Sequence, residues 1–345
     1  MRELLGEGLG ATRATASVIA RNLLGRRAED PLAERDPDFI RATLPTYGRL
    51  ARAYFRPRVR GLEQIPPAGP VLLVGNHSGG TLIADTFAFA FAFYGHFGPD
   101  RLFHQLAHDL VFRVPGLAMP GKYGTIPANH ENATAALGRG AALLVYPGGD
   151  HETYRPSWHS GEIDFGHRSG FVRLALAADV PIVPVVAIGG QETALFLTRG
   201  ERLSHLLALD RLFRLKVLPV QIAPPFGVTV LDLPGRIPLP SQITVQVLPK
   251  IDLRQRFGAD PDEEAVYRAV TAMMQEVLDE LAAERDLPVV GAVGSRHDES
   301  EVVEELEHGG LEREVEAAIE AERSRGGTIA PTGSTPTTGV DPQQP

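Results

Sequence analysis

The sequence predicts an α/β fold: a central, mostly parallel or mixed β-sheet flanked by helices. Three observations lead there. Apolar β-like runs alternate with helical patterns through the middle of the chain. Turn residues, chiefly Gly and Pro, punctuate the alternation. Three of the four apolar runs end in polar, glycine-containing loops, where sheets of this kind place their chemistry.

The elements follow in order. From Ile40 to Gly61 come Arg41, Arg49, Arg52, Arg56, Arg58 and Arg60 with no acid, and Tyr47, Leu50, Tyr54 and Phe55 are interleaved at helical spacing. Two readings stand side by side: a basic amphipathic helix on an anionic membrane surface, and a solvated helix packed on the domain by its aromatic face. Strands are predicted at Val71–Val74, Ala142–Tyr146, Pro181–Ile188 and Ile243–Leu248. Helices are predicted at about Thr81–Tyr94, Leu102–Phe112, Glu131–Leu137, Gly170–Ala178 and Ala265–Arg285. The first of these carries Phe87, Phe89, Phe91, Phe93 and Tyr94, so it is apolar all round. That suits a buried core helix better than the lining of an apolar channel or a membrane-facing patch. Asp298 to Glu322 then holds eleven acids against one arginine, and a Pro-, Thr-, Gly- and Gln-rich stretch follows. The chain thus divides into an N-terminal helical, basic segment (1–57), an α/β domain (58–256), a C-terminal helix packing on it (257–287) and an acidic, largely disordered tail (288–345).

Composition excludes several classes. The 345 residues include no cysteine, so there is no disulfide framework, no Cys-ligated zinc and no thiol nucleophile. A formal charge of −9 argues against nucleic acid as the main partner. No signal peptide is evident, and no run approaches the roughly 18 apolar residues of a spanning helix. A cytoplasmic or peripherally membrane-associated protein is expected.

The chemistry concentrates at Val71-Leu72-Leu73-Val74-Gly75-Asn76-His77-Ser78-Gly79-Gly80, with Asp85 downstream. A strand runs into a polar turn holding one histidine among small residues. A helix starting just after would aim backbone N–H groups at whatever approaches the imidazole. This is a layout for a general base beside an anion or oxyanion site. Rival motifs are weaker. Gly116 to Lys122 matches most of a P-loop, but Tyr123 replaces the Ser/Thr it requires. His104 and His108 have zinc-like spacing for a helix, without the glutamate of a metalloprotease. No metal is expected. Ser78 suggests an esterase, though no Gly-x-Ser-x-Gly elbow occurs.

Four blocks in order carry a resemblance: Asn76-His77 with Asp85; Gly124-Thr125-Ile126-Pro127; Tyr146-Pro147-Gly148-Gly149 with Glu152; and Val180-Pro181-Ile182-Val183-Pro184-Val185. Together they resemble the glycerolipid acyltransferase superfamily over about Arg58 to Leu253. The Pro-Gly-Gly form of the third block, and Gly161 to Phe171 with Arg168, are closer to the branch of type 2 diacylglycerol acyltransferases and transmembrane-68-like proteins. The family's first block is His-x4-Asp. Leu82 stands where that Asp is expected, and the acid comes three residues later, at Asp85. The second block lacks its usual Arg, and Gly148 replaces the third-block Glu of the phosphate-acceptor enzymes. A neutral lipid alcohol is therefore a more plausible acceptor than a glycerol phosphate.

The resemblance implies an O-acyltransferase moving a fatty acyl group from a thioester of coenzyme A or acyl carrier protein to a lipid hydroxyl. Its partners are the donor, the lipid acceptor and a membrane surface, with no cofactor beyond the co-substrate. His77 would be the base and Asp85 its orienter. Asn76, Ser78, Gly79, Gly80, Pro147, Gly148, Gly149, Glu152 and Arg168 would bind substrate. The amides of Ser78 to Gly80, or of Gly148 and Gly149, would face the oxyanion or the coenzyme A phosphates, and Glu152 with Arg168 forms either a site pair or a structural ion pair. Alternatives are a lipid esterase using Ser78 and a non-catalytic lipid-binding relative.

Overall fold

A computed structural model describes residues 30–80, 83–112, 119–206, 217–232 and 236–285. Leu82, the first three residues of the P-loop-like stretch (116–118) and the acidic tail lie outside them.

The strands are β1 (Arg58–Arg60), β2 (Val71–Gly75), β3 (Phe103–Ala107), β4 (Thr125–Pro127), β5 (Ala142–Val145), β6 (Ile182–Ile188), β7 (Leu195–Thr198), β8 (Val220–Ala223), β9 (Gly227–Val230) and β10 (Thr244–Val247). Seven of them form one sheet in the order β1-β10-β6-β2-β5-β3-β4. Every pairing in it is parallel except β10 with β6. A second, antiparallel sheet has the order β7-β8-β9. The helices are α1 (Pro37–Phe55), α2 (Ala84–Phe97), α3 (Met119–Lys122), α4 (His130–Gly138), α5 (Gly149–Thr153), α6 (Gly170–Ala178), α7 (Glu201–Leu206), α8 (Leu253–Phe257) and α9 (Glu263–Ala283).

The apolar runs are continuous because the central strands are covered on both faces. Side chains alternate along each strand. Leu72, Val74, Leu143, Val145, Val186 and Ile188 face a core shared with α4, α6 and α9. Val71, Leu73, Leu144, Val183, Val185 and Val247 face the other core, shared with α1 and α2. Local caps mark the helix starts. Asp36 accepts from Phe39 N (3.0 Å) with Pro37 following, and Asp262 accepts from Ala265 N (2.8 Å).

The expected helix at Leu102–Phe112 is instead β3 followed by a short 3-10 turn, Asp109–Phe112. Pairing between β5 and β4 decides it, since a short mixed apolar run carries no decisive period of its own. On a strand, residues four apart stand about 13 Å from each other, so the spacing of His104 and His108 loses its zinc meaning. His104 is buried, its Nδ1 lies 3.0 Å from Gly124 O, and burial pushes its imidazole down to about 4. Among the described residues no cluster of His, Asp and Glu could hold a metal ion. In α2, Phe89, Phe93 and Tyr94 are buried around Phe103, as expected of a core helix, while Phe87 and Phe91 are half-buried.

Candidate functional site

β2 lies between β6 and β5, so its carboxyl end meets theirs. β2 leads out toward β3 on one side of the sheet, and β6 leads out on the other, which is where open α/β sheets form crevices. Residues 76–80 leave β2 there. Gly79 (φ +93°) and Gly80 (φ +70°) take left-handed backbone, open to glycine at little cost. The turn also packs closely: a Cβ on Gly79 would stand 2.6 Å from Gly190 O.

This turn brings Asp85, in the first turn of α2, back to the histidine. His77 Nδ1 lies 3.3 Å from Asp85 Oδ2. That is longer than a fully engaged charge-assisted bond, and within the range seen before a substrate closes a site. The same Oδ2 accepts from Ser78 N (3.1 Å), and Oδ1 accepts from Thr86 N (2.7 Å). Asp85 is 1% exposed, so these donors compensate its burial. With Nδ1–H donating to the carboxylate, Nε2 keeps its lone pair. Among the described residues nothing hydrogen-bonds to Nε2.

The ring is held on a second side. Tyr146, following β5, stacks on His77 with centroids 4.3 Å apart and planes at 20°. Its hydroxyl accepts from Thr86 Oγ1 (2.8 Å), which ties it to the residue beside Asp85. A Cβ at Gly75 would fall 2.6 Å from the Tyr146 ring, so that glycine makes room for the stack.

Several residues expected to bind substrate have another place. Asn76 is buried and spends both ends of its amide on β6: Nδ2 donates to Ala187 O (2.8 Å) and Oδ1 accepts from Ala187 N (2.7 Å). Glu152 is 0% exposed; Oε2 accepts from His77 N (2.9 Å) and Oε1 from Arg155 Nη1 (3.1 Å). It holds the histidine's backbone rather than a ligand. The pairing of Glu152 with Arg168 does not occur. Arg155, three residues on, takes that role, and Arg168 instead donates to Gly148 O (2.7 Å) and Asp150 (3.0 Å). The turn just past the end of α5 brings Arg155 back to Glu152, its amide donating to Glu152 O (3.3 Å), whereas Arg168 approaches from a separate loop.

The expected oxyanion donors of the first turn are committed elsewhere. Ser78 N donates to Asp85, Gly79 N to Gln191 Oε1 (3.3 Å) and Gly80 N to Thr153 O (3.3 Å). Gly149 N likewise donates to Tyr146 O (3.2 Å). Ser78 is 3% exposed and packs on Gly190, a poor position for an esterase nucleophile. Pro147 is half-buried.

Sequence reasoning missed the supports: Tyr146, Arg155, Gln191, Asp232 and Arg236. Gln191 links the turn to Arg155 by accepting from Gly79 N and donating to Arg155 O. Arg236 is buried, donates from Nε to Asp232 (2.8 Å), and reaches Gly79 O with Nη2. The i,i+3 and i,i+4 spacing of the two buried ion pairs was visible in the sequence. Their burial against the turn was not.

Glu152 supplies a measurable consequence. Burial pushes its carboxyl from the ordinary 4.5 up to about 7, against the pull of Arg155 and of the His77 amide. A proton held more tightly in the folded chain stabilises the fold fully below the ordinary value. That contribution is lost as pH rises through about 7. The stability of the wild type relative to Glu152→Gln is therefore expected to fall by on the order of 3 kcal/mol from about pH 4.5 to about pH 8. Urea denaturation of both proteins at several pH values measures this, and parallel pH profiles would rule it out.

Residues 56–188, which include His77, Asp85, Tyr146 and Glu152, match the family model described as Acyltransferase. The match supports a likeness of this segment to the glycerolipid acyltransferase superfamily. An uncharacterized protein of Mycobacterium tuberculosis is 28% identical over 267 residues, 77% of this chain and 71% of that protein. The human DGAT1/2-independent enzyme synthesizing storage lipids is 31% identical over 134 residues, 37% of this chain and 38% of the enzyme. Phytyl ester synthase 2 of Arabidopsis thaliana is 32% identical over 142 residues, 38% of this chain and 19% of the synthase. Among solved structures, the 1-acyl-sn-glycerophosphate acyltransferase PlsC of Thermotoga maritima aligns with a TM-score of 0.48 at 15% identity, covering 83% of this chain and all (100%) of that one. Asp232 and Arg236 lie beyond the matched segment, so the turn after β2 is braced from outside it.

Proposed function

We propose that the protein is an O-acyltransferase that moves a fatty acyl group from an acyl thioester to a lipid hydroxyl, with His77 as general base. One observation carries the reading: the His77–Asp85 pair at the end of the central strand, with Nε2 unpartnered among the described residues. A thioester is already activated, so no covalent enzyme intermediate is required. Nε2 takes the alcohol proton as the oxygen attacks the carbonyl carbon. The tetrahedral intermediate collapses by breaking the C–S bond, and the imidazolium returns its proton to the departing thiolate. Asp85 stabilises the imidazolium between those steps. Tyr146, stacked face-on, stabilises the same cation.

Coenzyme A or acyl carrier protein serves as donor carrier, and no further cofactor is invoked. A neutral lipid alcohol is the favoured acceptor. The absence of the second-block Arg and third-block Glu supports this choice, as do relatives whose names specify storage lipids and phytyl esters. We place the protein in the cytoplasm at a membrane surface, where such acceptors reside.

Purified protein with labelled acyl-CoA and a panel of acceptors (a diacylglycerol, a long-chain alcohol, a lysophospholipid and a glycerol phosphate), read by lipid mass spectrometry, tests the proposal. An ester of a neutral alcohol is the expected product. Release of free fatty acid alone would replace transfer by hydrolysis, and acylation of the glycerol phosphate alone would overturn the acceptor class.

A further inference from the structure

Seven residues separate His77 from Asp85, and their path decides whether the carboxylate reaches the ring. The first part of that path, Ser78 to Gly80, is buried and contains two glycines with positive φ. Glycine is permissive there, so the turn does not select one conformation by its own residues. Hydrogen bonds select it. Ser78 N donates to Asp85 Oδ2 (3.1 Å). The peptide unit between Gly79 and Gly80 is held at both ends. Gly79 O accepts from Arg236 Nη2, and Gly80 N donates to Thr153 O (3.3 Å). Among the described residues no other group donates to Gly79 O.

Each nitrogen of the Arg236 guanidinium has a different acceptor. Nε donates to Asp232 Oδ1 (2.8 Å), Nη1 to Thr193 O (3.3 Å) and Nη2 to Gly79 O. Asp232 Oδ1 also accepts from Gln221 Nε2 (2.9 Å) on β8, and Arg236 Cζ lies 5.9 Å from the ring centroid of Phe196 on β7. The side chains of Arg236 and Asp232 are 2% and 1% exposed. A Cβ on Gly80 would strike the Asp232 carboxylate and stand 2.9 Å from Phe196 Cζ, so the turn rests directly on the pair and on the small sheet. Taking two charges out of water costs about as much as their attraction returns, and apolar side chains of similar volume often stabilise a fold as well or better. Stability therefore does not account for a charge pair buried here. Placement does, because a planar fork bonded in three directions fixes a carbonyl more sharply than an apolar contact can.

We propose that Arg236, oriented by Asp232, is a positioning residue for acyl transfer: through Gly79 O it fixes the turn that keeps the Asp85 carboxylate within reach of His77 Nδ1. It acts through the turn and not on the reacting atoms. The His77–Asp85 contact is already long at 3.3 Å, so a small drift of the turn breaks it, and a misplacement of about 1 Å costs on the order of a hundredfold in rate. The catalytic consequence rests on the acyl-transfer reading; the contacts of the clamp do not.

The combined variant Asp232→Leu and Arg236→Met tests the role, since it removes both charges and keeps apolar volume. Its thermal melt should stay close to that of the wild type. Its kcat with a soluble acyl-CoA and a neutral alcohol should fall at least about tenfold, with KM little changed. Added to Asp85→Asn, the same two substitutions should lower kcat no further, because the contact they protect is already lost. A purely structural role would lower kcat by the same factor in both backgrounds. That result, or wild-type kcat in the combined variant, overturns the proposal. If the combined variant does not fold, Arg236→Lys takes its place in the same cycle, with the same outcomes deciding; it keeps Asp232 paired and loses the fork. If the wild type transfers no acyl group, the acyl-transfer reading fails, and nitrogen NMR of the histidine rings still decides the positioning. A ring Nδ1–H resonance that is absent in His77→Ala should be present in the wild type and lost in the combined variant. Its persistence there overturns the proposal.

Discussion

His77→Ala is expected to fold like the wild type and to lose acyl transfer by on the order of a thousandfold in kcat/KM. The size follows from the role. A positioned base removes a proton whose release would otherwise oppose attack of a neutral alcohol on the thioester carbon. Among the described residues, His104 is tied to Gly124 O and His151 pairs with Asp164, so neither takes its place. The fold should tolerate the change because the ring caps the site rather than filling the core, being 12% exposed. Its loss removes the stack on Tyr146, worth about 1 kcal/mol. Steady-state kinetics beside a thermal melt separate the two effects. Wild-type transfer by the variant would remove the assignment.

Asp85→Asn is expected to lower kcat by at least about a hundredfold with little change in KM. The amide preserves shape and can still accept from Thr86 N. Its remaining group cannot serve both His77 Nδ1 and Ser78 N as acceptor if it turns its NH2 toward them. An NH2 facing Nδ1 favours the tautomer with the proton on Nε2, which is the wrong one for a base. The Ser78 amide also loses its buried acceptor, at a cost of about 1–3 kcal/mol in stability. Kinetics at saturating donor, paired with chemical denaturation, read both changes. A variant with lowered stability and unchanged kcat would make Asp85 a structural residue.

These two residues show how far a sequence reaches. His77 was legible because a short apolar strand ending in Asn-His-Ser-Gly-Gly, followed by ordered blocks, is a pattern along the chain. Whether Asp85 meets it depends on the path between them. Two left-handed glycines widen the turn, and α2 begins at Ala84, so an acid three residues out of the family's usual spacing still reaches the ring. Asn76 and Glu152 were also legible as members of the site, but their side chains point inward to hold β6 and the His77 backbone. Burial, not residue type, separates a support from a ligand contact.

The fold divides in the same way. β2, β5, β6 and β10 were readable because burial on both faces demands continuous apolar runs. β3 was not, since its pairing partners rather than its own period make it a strand. The small sheet β7-β8-β9 also escaped, because its strands are short and β9 is largely exposed.

The sequence by itself determined the α/β class, the central strands, the superfamily resemblance and the histidine, all of which are written in local pattern and block order. Only the tertiary structure decided that Asp85 serves His77, that Arg155 rather than Arg168 partners Glu152, and that Arg236 grips Gly79 from 157 positions away. Contacts of that kind depend on where the chain returns in space, and no local period or composition encodes that return.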